Sequence, residues 1–371
     1  MAGAKVKVRL DYSVNEVDLH ITKQCSGRCA YCYVDTCGGS NQLFRELPRF
    51  GDTEVLKKII RNIRVAAKAK NLVFVGGDPC EHPDLVELLR YAKELRGMDI
   101  AVLSNTHDYR QNGEIMPIES IVPYVSELDF TLHGIGDTHD AFNGNQGAYR
   151  HGMEQLRRFM AARREDQPVA IVLNFVPGTL EHLEEMMRGV IDELHMDPNL
   201  DYFMVQRIAP TGRAHENYER WKVSKDLLVN ALRIIERINE ELGFETKLDT
   251  VDAFPWCAVP EEYRYMLHKG GCQWGRPGGV LSVVQDGGIQ RCALSERILG
   301  NMLNIKTPAQ FGDFMQNPTL TAFRNYLHLD EKCINCWMLK YCGGGCVIAA
   351  GNGDPYKTDD NIRVGHDYLA D

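Results

Sequence analysis

The sequence predicts an α/β fold: a partial (β/α)6 barrel over residues 17–245, with an N-terminal extension over 1–16 and a small cysteine-rich domain over 250–371. Three observations carry this. Apolar strands alternate with amphipathic helices six times before residue 245, a pattern that builds a parallel sheet with right-handed crossovers. At 371 residues the chain exceeds what one hydrophobic core usually fills, ~250–300 residues. Beyond about residue 250 the pattern gives way to Gly, Pro and Cys.

The first strand is VDLHIT at 17–22, and TEVLKKIIRNIRVAAKA at 53–69 has the apolar spacing of a helix. NLVFV at 71–75 leads into a helix at 83–96, and DIAVLS at 99–104 into a weaker one at 118–124. ELDFTLH at 127–133 precedes a helix at 149–163, VAIVLNFV at 169–176 a helix at 179–194, and DYFMVQRI at 201–208 a helix at 224–241. Six units fall short of the eight that close a barrel, so an open barrel with a wide mouth is expected. The C-terminal region offers only short strands such as GGVLSVVQ at 278–285 and one helix at 319–329, with too little apolar periodicity for a core. Metal ligation can replace a core in so small a domain.

With 42 Lys and Arg against 51 Asp and Glu, the formal charge is −9, which argues against a polyanion-binding face; no nucleic-acid partner is expected. The N-terminus has no apolar signal region, and no run reaches the ~18 apolar residues of a membrane span. A soluble, cytoplasmic protein with no membrane partner is expected. In that reducing setting the 12 cysteines read as metal ligands or redox groups rather than a disulfide framework. Three open the chain, seven run from Cys257 to Cys346, and Cys37 and Cys80 between them read as structural thiols.

Cys25, Cys29 and Cys32 sit in the loop after the first strand, at the carboxyl end of the sheet where barrel enzymes carry their chemistry. Three thiolates at C-x3-C-x2-C spacing can wrap one corner of an iron-sulfur cube and leave its fourth iron open, whereas structural zinc takes four ligands. A zinc site completed by His20, or three unrelated buried thiols, is the alternative on spacing alone. The segment CSGRCAYC at 25–32 resembles the cluster motif of the radical S-adenosylmethionine superfamily. The resemblance implies a [4Fe-4S] cluster whose open iron chelates S-adenosylmethionine, reductive cleavage to a 5'-deoxyadenosyl radical, and a partial (β/α)6 TIM-like barrel. Tyr31 would then lie against the adenine.

Further motifs follow in order at successive strand ends. GGDP, Gly76 to Pro79 with Gly77 and Asp78, is similar to the family's Gly-Gly-acid-Pro segment, whose glycines admit a ligand close to the backbone. SNT at 104–106, with Ser104 and Asn105, and TLHG at 131–134, with His133, resemble the segments after the third and fourth strands. Asn174 ends the fifth strand, and RIAPTGRA at 207–214, with Arg213, follows the sixth. Each alone is also a plain turn or loop anchor.

The later cysteines read C-x14-G-x4-C from Cys272 through Gly287 to Cys292, then C-x2-C-x5-C-x3-C over Cys333, Cys336, Cys342 and Cys346. This resembles the SPASM extension of the superfamily, which holds two auxiliary [4Fe-4S] clusters; a zinc-ribbon-like pair of sites is the bland alternative. By the resemblance Cys272, Cys292 and Cys346 serve the first auxiliary cluster, with Cys257 as its available fourth thiolate. Cys333, Cys336 and Cys342 serve the second. The family's seventh cysteine, after Cys346, is replaced by GDPYKTDDNIRVGHDY, in which Asp354, Asp359, Asp360 and His366 are substitute ligands, Asp360 the one chosen.

What the resemblance implies is a radical enzyme that oxidatively modifies a ribosomally made peptide, with a carbon-carbon, ether or thioether cross-link the favoured outcome. A low-potential donor, flavodoxin or ferredoxin, would supply the electron. Because the cluster motif starts at residue 25, leader-peptide binding is expected from a separate protein or the barrel's own surface. Sulfatase-maturase-like oxidation is demoted, since Ala293 stands where that group has an acid after the second SPASM cysteine. Oxidation or decarboxylation of a small molecule, and a non-catalytic iron-sulfur or zinc scaffold, are the other readings. For a general base, His133, Asp108, Glu46 and Arg213 are candidates without a choice among them.

Overall fold

The computed structural model describes residues 12–34, 42–105, 110–111, 114–115, 117–248, 253–267, 271–327, 329, 331–346 and 348. Six parallel strands, β1 (Glu16–Thr22), β2 (Asn71–Gly76), β3 (Asp99–Ser104), β4 (Glu127–Leu132), β5 (Val169–Phe175) and β6 (Tyr202–Arg207), pair in sequence order. Their outward side chains, such as Val17, Leu19 and Ile21 of β1, are fully buried against helices α1 (Thr53–Asn62), α2 (Leu85–Glu94), α3 (Ala148–Ala162), α4 (Leu183–Leu194) and α5 (Lys225–Leu242). The helices form because each carries one apolar stripe, and α1 and α5 start on a side-chain cap. In α1 the Asp52 carboxylate accepts from Val55 N at 2.9 Å while Leu56, Ile59 and Ile60 go into the core. In α5 Ser224 caps Leu227 N at 3.2 Å.

The sheet continues past both ends of the six-strand unit. β7 (Thr246–Lys247) pairs with β6, while β8 (Val280–Val283) lies parallel to β1 and is followed by antiparallel β9 (Gly288–Gln290) and β10 (Ile298–Asn301). The ten strands run β10-β9-β8-β1-β2-β3-β4-β5-β6-β7, with β7 and β10 as unpaired edges among the described residues, so the barrel is open. One apolar core spans Val14 to Leu320 and takes in Leu281, Val283, Ile289, Met302, Phe311 and Met315. The core-poor region expected after residue 250 therefore begins only after about residue 324, because these apolar residues are spread over short elements that show no long period.

The helices expected at 53–69, 118–124 and 319–329 come out shorter than their patterns, the first closing at Asn62. At 118–124 only the turn Ile118–Ser120 forms, since Pro117 and Pro123 bracket it and remove backbone donors. The helix at 319–329 is Pro318–Arg324, closed by Tyr326 at φ +59°. No described helix is long and apolar enough to cross a membrane.

The inward faces of β1 and β4 are acidic at their amino ends. Glu16, Asp18, Glu127 and Asp129 approach one another, and the Tyr202 hydroxyl donates to Glu127. Burial, then the Glu127, Glu16 and Asp18 carboxylates, push the Asp129 carboxyl well above the usual carboxylate range. Folded chain therefore keeps a proton there that unfolded chain releases above pH ~4; the stability this gives is full below that pH and lost as pH rises through the folded value. The variant D129N is expected to melt higher than the parent at neutral pH, by about 2 °C or more, with the gap closing towards pH ~4. Thermal melts across that range check this; two parallel curves would refute it.

Candidate functional site

The carboxyl ends of β1 to β6 meet at one mouth, and the loop over 23–34 lies across it. Its cysteines, Cys25, Cys29 and Cys32, are half-buried, and none is in a disulfide. Other strand ends set the loop's path. Gly77 N donates to Thr22 O at 2.8 Å and Asp78 N to Gln24 O at 2.7 Å. A Cβ on Gly77 would stand 2.1 Å from Gln24 O, and one on Gly76 would stand 2.3 Å from Thr22 O. The two glycines thus serve a close approach of backbone to backbone, where the sequence alone pointed to a close approach to ligand. From the other side Arg213 N donates to Cys32 O at 3.1 Å and its Nη1 to Cys29 O at 2.9 Å. Gly212, at φ +57°, lies so near Cys32 O that its Cβ would be 2.3 Å away.

A carboxylate that the sequence reading passed over completes the grip. Glu81 accepts from Ser26 N, from Ser26 Oγ at 2.5 Å and from Gln24 Nε2 at 3.0 Å. It follows the Gly-Gly-Asp-Pro segment in a short turn, Pro79–Glu81, with buried Pro79 at the turn's start. Its only sequence signal was that adjacency. Asp78 itself faces inward: its carboxylate accepts from Cys80 N at 2.9 Å, Ser104 Oγ at 2.7 Å and Asn105 N at 3.1 Å, bracing the β2 end against the β3 end. Burial and the Glu81 carboxylate push Asp78 up to about 7 against those three hydrogen bonds. Cys80 is fully buried beside it, as a structural thiol should be.

On the opposite side Tyr31, His133 and Asn174 come together. The Tyr31 hydroxyl lies 2.5 Å from His133 Nδ1, and Asn174 Nδ2 donates to the Tyr31 hydroxyl at 2.9 Å. His133 Nε2 is 3.9 Å from Cys29 Sγ, and its ring stacks on His139 at 4.9 Å. Phe142 and Trp221, which no motif announced, wall the Tyr31 ring at 6.3 and 5.7 Å. Glu46 is exposed at the end of a short helix, Gln42–Glu46, where it accepts from Gln42 Nε2. Cys37, Asp108, Asp354, Asp359, Asp360 and His366 lie outside the described residues. His20 is fully buried between Tyr33 and Phe44, and neither ring nitrogen has a hydrogen-bond partner; burial lowers it to about 3.

The three thiols suit a cationic metal core. Burial pushes Cys25 up, with Asp78, Cys29 and Cys32 adding to it, and pushes Cys29 up to about 12, with Cys32 adding and only Arg213 among the side chains opposing. Cys25 and Cys29 ionise together in this loop only where positive charge stands beside them, which an iron-sulfur core would supply.

The later cysteines form two groups. Cys272, Cys292 and Cys346 share a buried apolar cluster with Ala209, Ala253 and Phe323. Cys333 and Cys342 are buried and Cys336 half-buried along a short stretch in which Cys336 N donates to Cys333 O at 3.1 Å. The groups touch: a Cβ on Gly271 would stand 2.2 Å from Cys342 O, so Cys272 follows directly on Cys342 in space. Cys257 sits with the second group, where Trp256 N donates to Cys342 Sγ at 3.4 Å.

A family model for the radical SAM superfamily matches residues 19–190, which hold the three-thiol loop and the strand ends that grip it. Residues 19–190 belong to the radical SAM superfamily. With that membership come a [4Fe-4S] cluster and S-adenosylmethionine as cofactors, and an oxidoreductase-type radical enzyme. Pre-heme d1 synthase of Dinoroseobacter shibae is 26% identical over 366 residues, covering 92% of this chain and 84% of that protein. PqqA peptide cyclase of Bradyrhizobium diazoefficiens is 22% identical over 348 residues, covering 92% and 84%. Streptococcus suis SuiB bound to S-adenosylmethionine shares the fold with a TM-score of 0.71 at 15% identity over 96% of this chain and 77% of SuiB. SuiB bound to the precursor peptide SuiA gives 0.68 at 15% identity over 96% and 76%.

Proposed function

We propose that this radical SAM enzyme oxidatively cross-links a ribosomally made peptide through a carbon-carbon, ether or thioether bond. The observation that carries the reading is the three-thiol loop pinned at the mouth of a sheet that stays open, where an extended substrate can enter. The likeness to a peptide cyclase and to a protein solved with a precursor peptide supports the peptide. A [4Fe-4S] cluster with S-adenosylmethionine supplies a 5'-deoxyadenosyl radical that takes hydrogen from an unactivated carbon.

Cys25, Cys29 and Cys32 would hold that cluster. Gly76, Gly77, Asp78 and Pro79, with Ser104 and Asn105, brace the loop, while Tyr31, His133 and Asn174 offer hydrogen-bonding groups beside Cys29 for the nucleoside end; Arg213 fixes the loop from below. Cys272, Cys292 and Cys346, and Cys333, Cys336 and Cys342, would carry two auxiliary [4Fe-4S] clusters in a SPASM-like region that begins near residue 250. Flavodoxin or ferredoxin would deliver the electron, in the cytoplasm.

A second reading, oxidation of a tetrapyrrole side chain, draws on the likeness to pre-heme d1 synthase. The test is to incubate the reduced enzyme with short peptides encoded beside its gene and weigh the products. A peptide lighter by two hydrogen atoms, formed together with 5'-deoxyadenosine, is expected. Intact peptides alongside consumption of a tetrapyrrole would overturn the reading.

A further inference from the structure

We propose that Cys257 is the fourth thiolate of the iron-sulfur cluster held by Cys333, Cys336 and Cys342, an inference that rests on the auxiliary-cluster reading above. The resemblance had placed Cys257 with Cys272, Cys292 and Cys346 and had looked to Asp360 for the second set. The packing of the chain argues for a different partition.

The segment 253–257 runs alongside 341–346, held at four successive points. Cys346 N donates to Ala253 O at 2.9 Å. Pro255 lies on Gly345, where a Cβ would come within 3.1 Å of its nitrogen. The Trp256 ring stacks on Tyr341 at 5.8 Å and 18°. Trp256 N donates to Cys342 Sγ at 3.4 Å, a backbone bond to sulfur of the kind that steadies cluster ligands. The turn Trp256–Ala258 then presents the next residue, Cys257, beside Cys342, and Arg264 fastens the turn by donating to Trp256 O and Val259 O, both at 3.0 Å.

Cys257 is exposed, yet its thiol lies within the electrostatic reach of both Cys342 and Cys336. A cluster with four thiolates needs one beyond Cys333, Cys336 and Cys342, and Cys257 is the cysteine that the packing of 253–257 on 341–346 delivers beside Cys342. The first auxiliary set is left with three cysteines.

The test starts from the full chain carrying C25A/C29A/C32A, reconstituted anaerobically, so that only auxiliary iron remains, about eight atoms per chain for two [4Fe-4S] clusters. Adding C257A is expected to lower iron by between about one and four atoms and to change the Mössbauer and EPR spectra of one cluster. Adding D359A/D360A is expected to leave both unchanged. In the loaded protein Cys257 should resist alkylation along with Cys333, Cys336 and Cys342, and all four should label once iron is chelated away. Unchanged iron and spectra in C257A, or alkylation of Cys257 in the loaded protein, overturns the assignment. A starting protein with no auxiliary iron sinks the auxiliary-cluster reading itself, and this assignment with it.

Discussion

Anaerobically reconstituted C25A/C29A/C32A is expected to form no detectable 5'-deoxyadenosine from S-adenosylmethionine under reduction, while keeping its auxiliary iron. The loss should be complete rather than partial, because the three thiols are the only ligands that the loop over 23–34 presents at the mouth, and no side chain of the chain can replace a metal-borne electron transfer. The fold should survive: the loop is anchored through Gly77, Asp78, Glu81 and Arg213, which bond to backbone or to Ser26 and Gln24, and the core lies behind the sheet. Iron analysis and chromatography of the reaction mixture check both halves. Continued formation of 5'-deoxyadenosine by the triple variant would mean that the active cluster sits elsewhere.

Much of this architecture could be read from residue types. DIAVLS at 99–104 coincides with β3 from first residue to last, and α2, α3 and α5 fall within about two residues of their patterns, because each carries a strong period and a clear stop. The cysteines were legible for a different reason: thiol chemistry is written in the side chain itself. What stayed hidden depends on which way a chain segment faces. Glu16-Val17-Asp18-Leu19 and Glu127-Leu128-Asp129-Phe130 display an acid at every second position, a signal open to anyone, but alternation alone cannot say whether the acid side meets solvent or a lumen. Asp78 looked like a ligand-binding acid and turns inward to Ser104. Glu81, which no motif announced, holds Ser26. The helix expected at 53–69 stops at Asn62 and ends in a π turn over Ile63–Ala67, where Lys68 adopts φ +53°.

The glycine pair offers the sharpest test of that hidden geometry. Gly77 has an ordinary backbone conformation, so G77A brings no torsional strain; its whole effect is steric. The added methyl would meet Gln24 O at 2.1 Å, Gln24 C at 2.5 Å and Lys23 C at 2.7 Å, all backbone atoms of the stretch that leads directly into Cys25. A flexible side chain could swing aside, but backbone held by Gly77 N to Thr22 O and Asp78 N to Gln24 O can only move as a piece. G77A is therefore expected to cost about 1–3 kcal/mol of stability and, by displacing Cys25 against Cys29 and Cys32, to lower 5'-deoxyadenosine formation roughly 100-fold. Auxiliary iron should not change. G189A is the matched control: it adds the same methyl inside α4, where the nearest contact is the mobile Ile135 Cδ1 at 3.2 Å, so cluster content and activity should stay near the parent's. If G77A proves as harmless as G189A, the glycines do not set the path of the cysteine loop, and their place in the motif must be explained by the ligand alone.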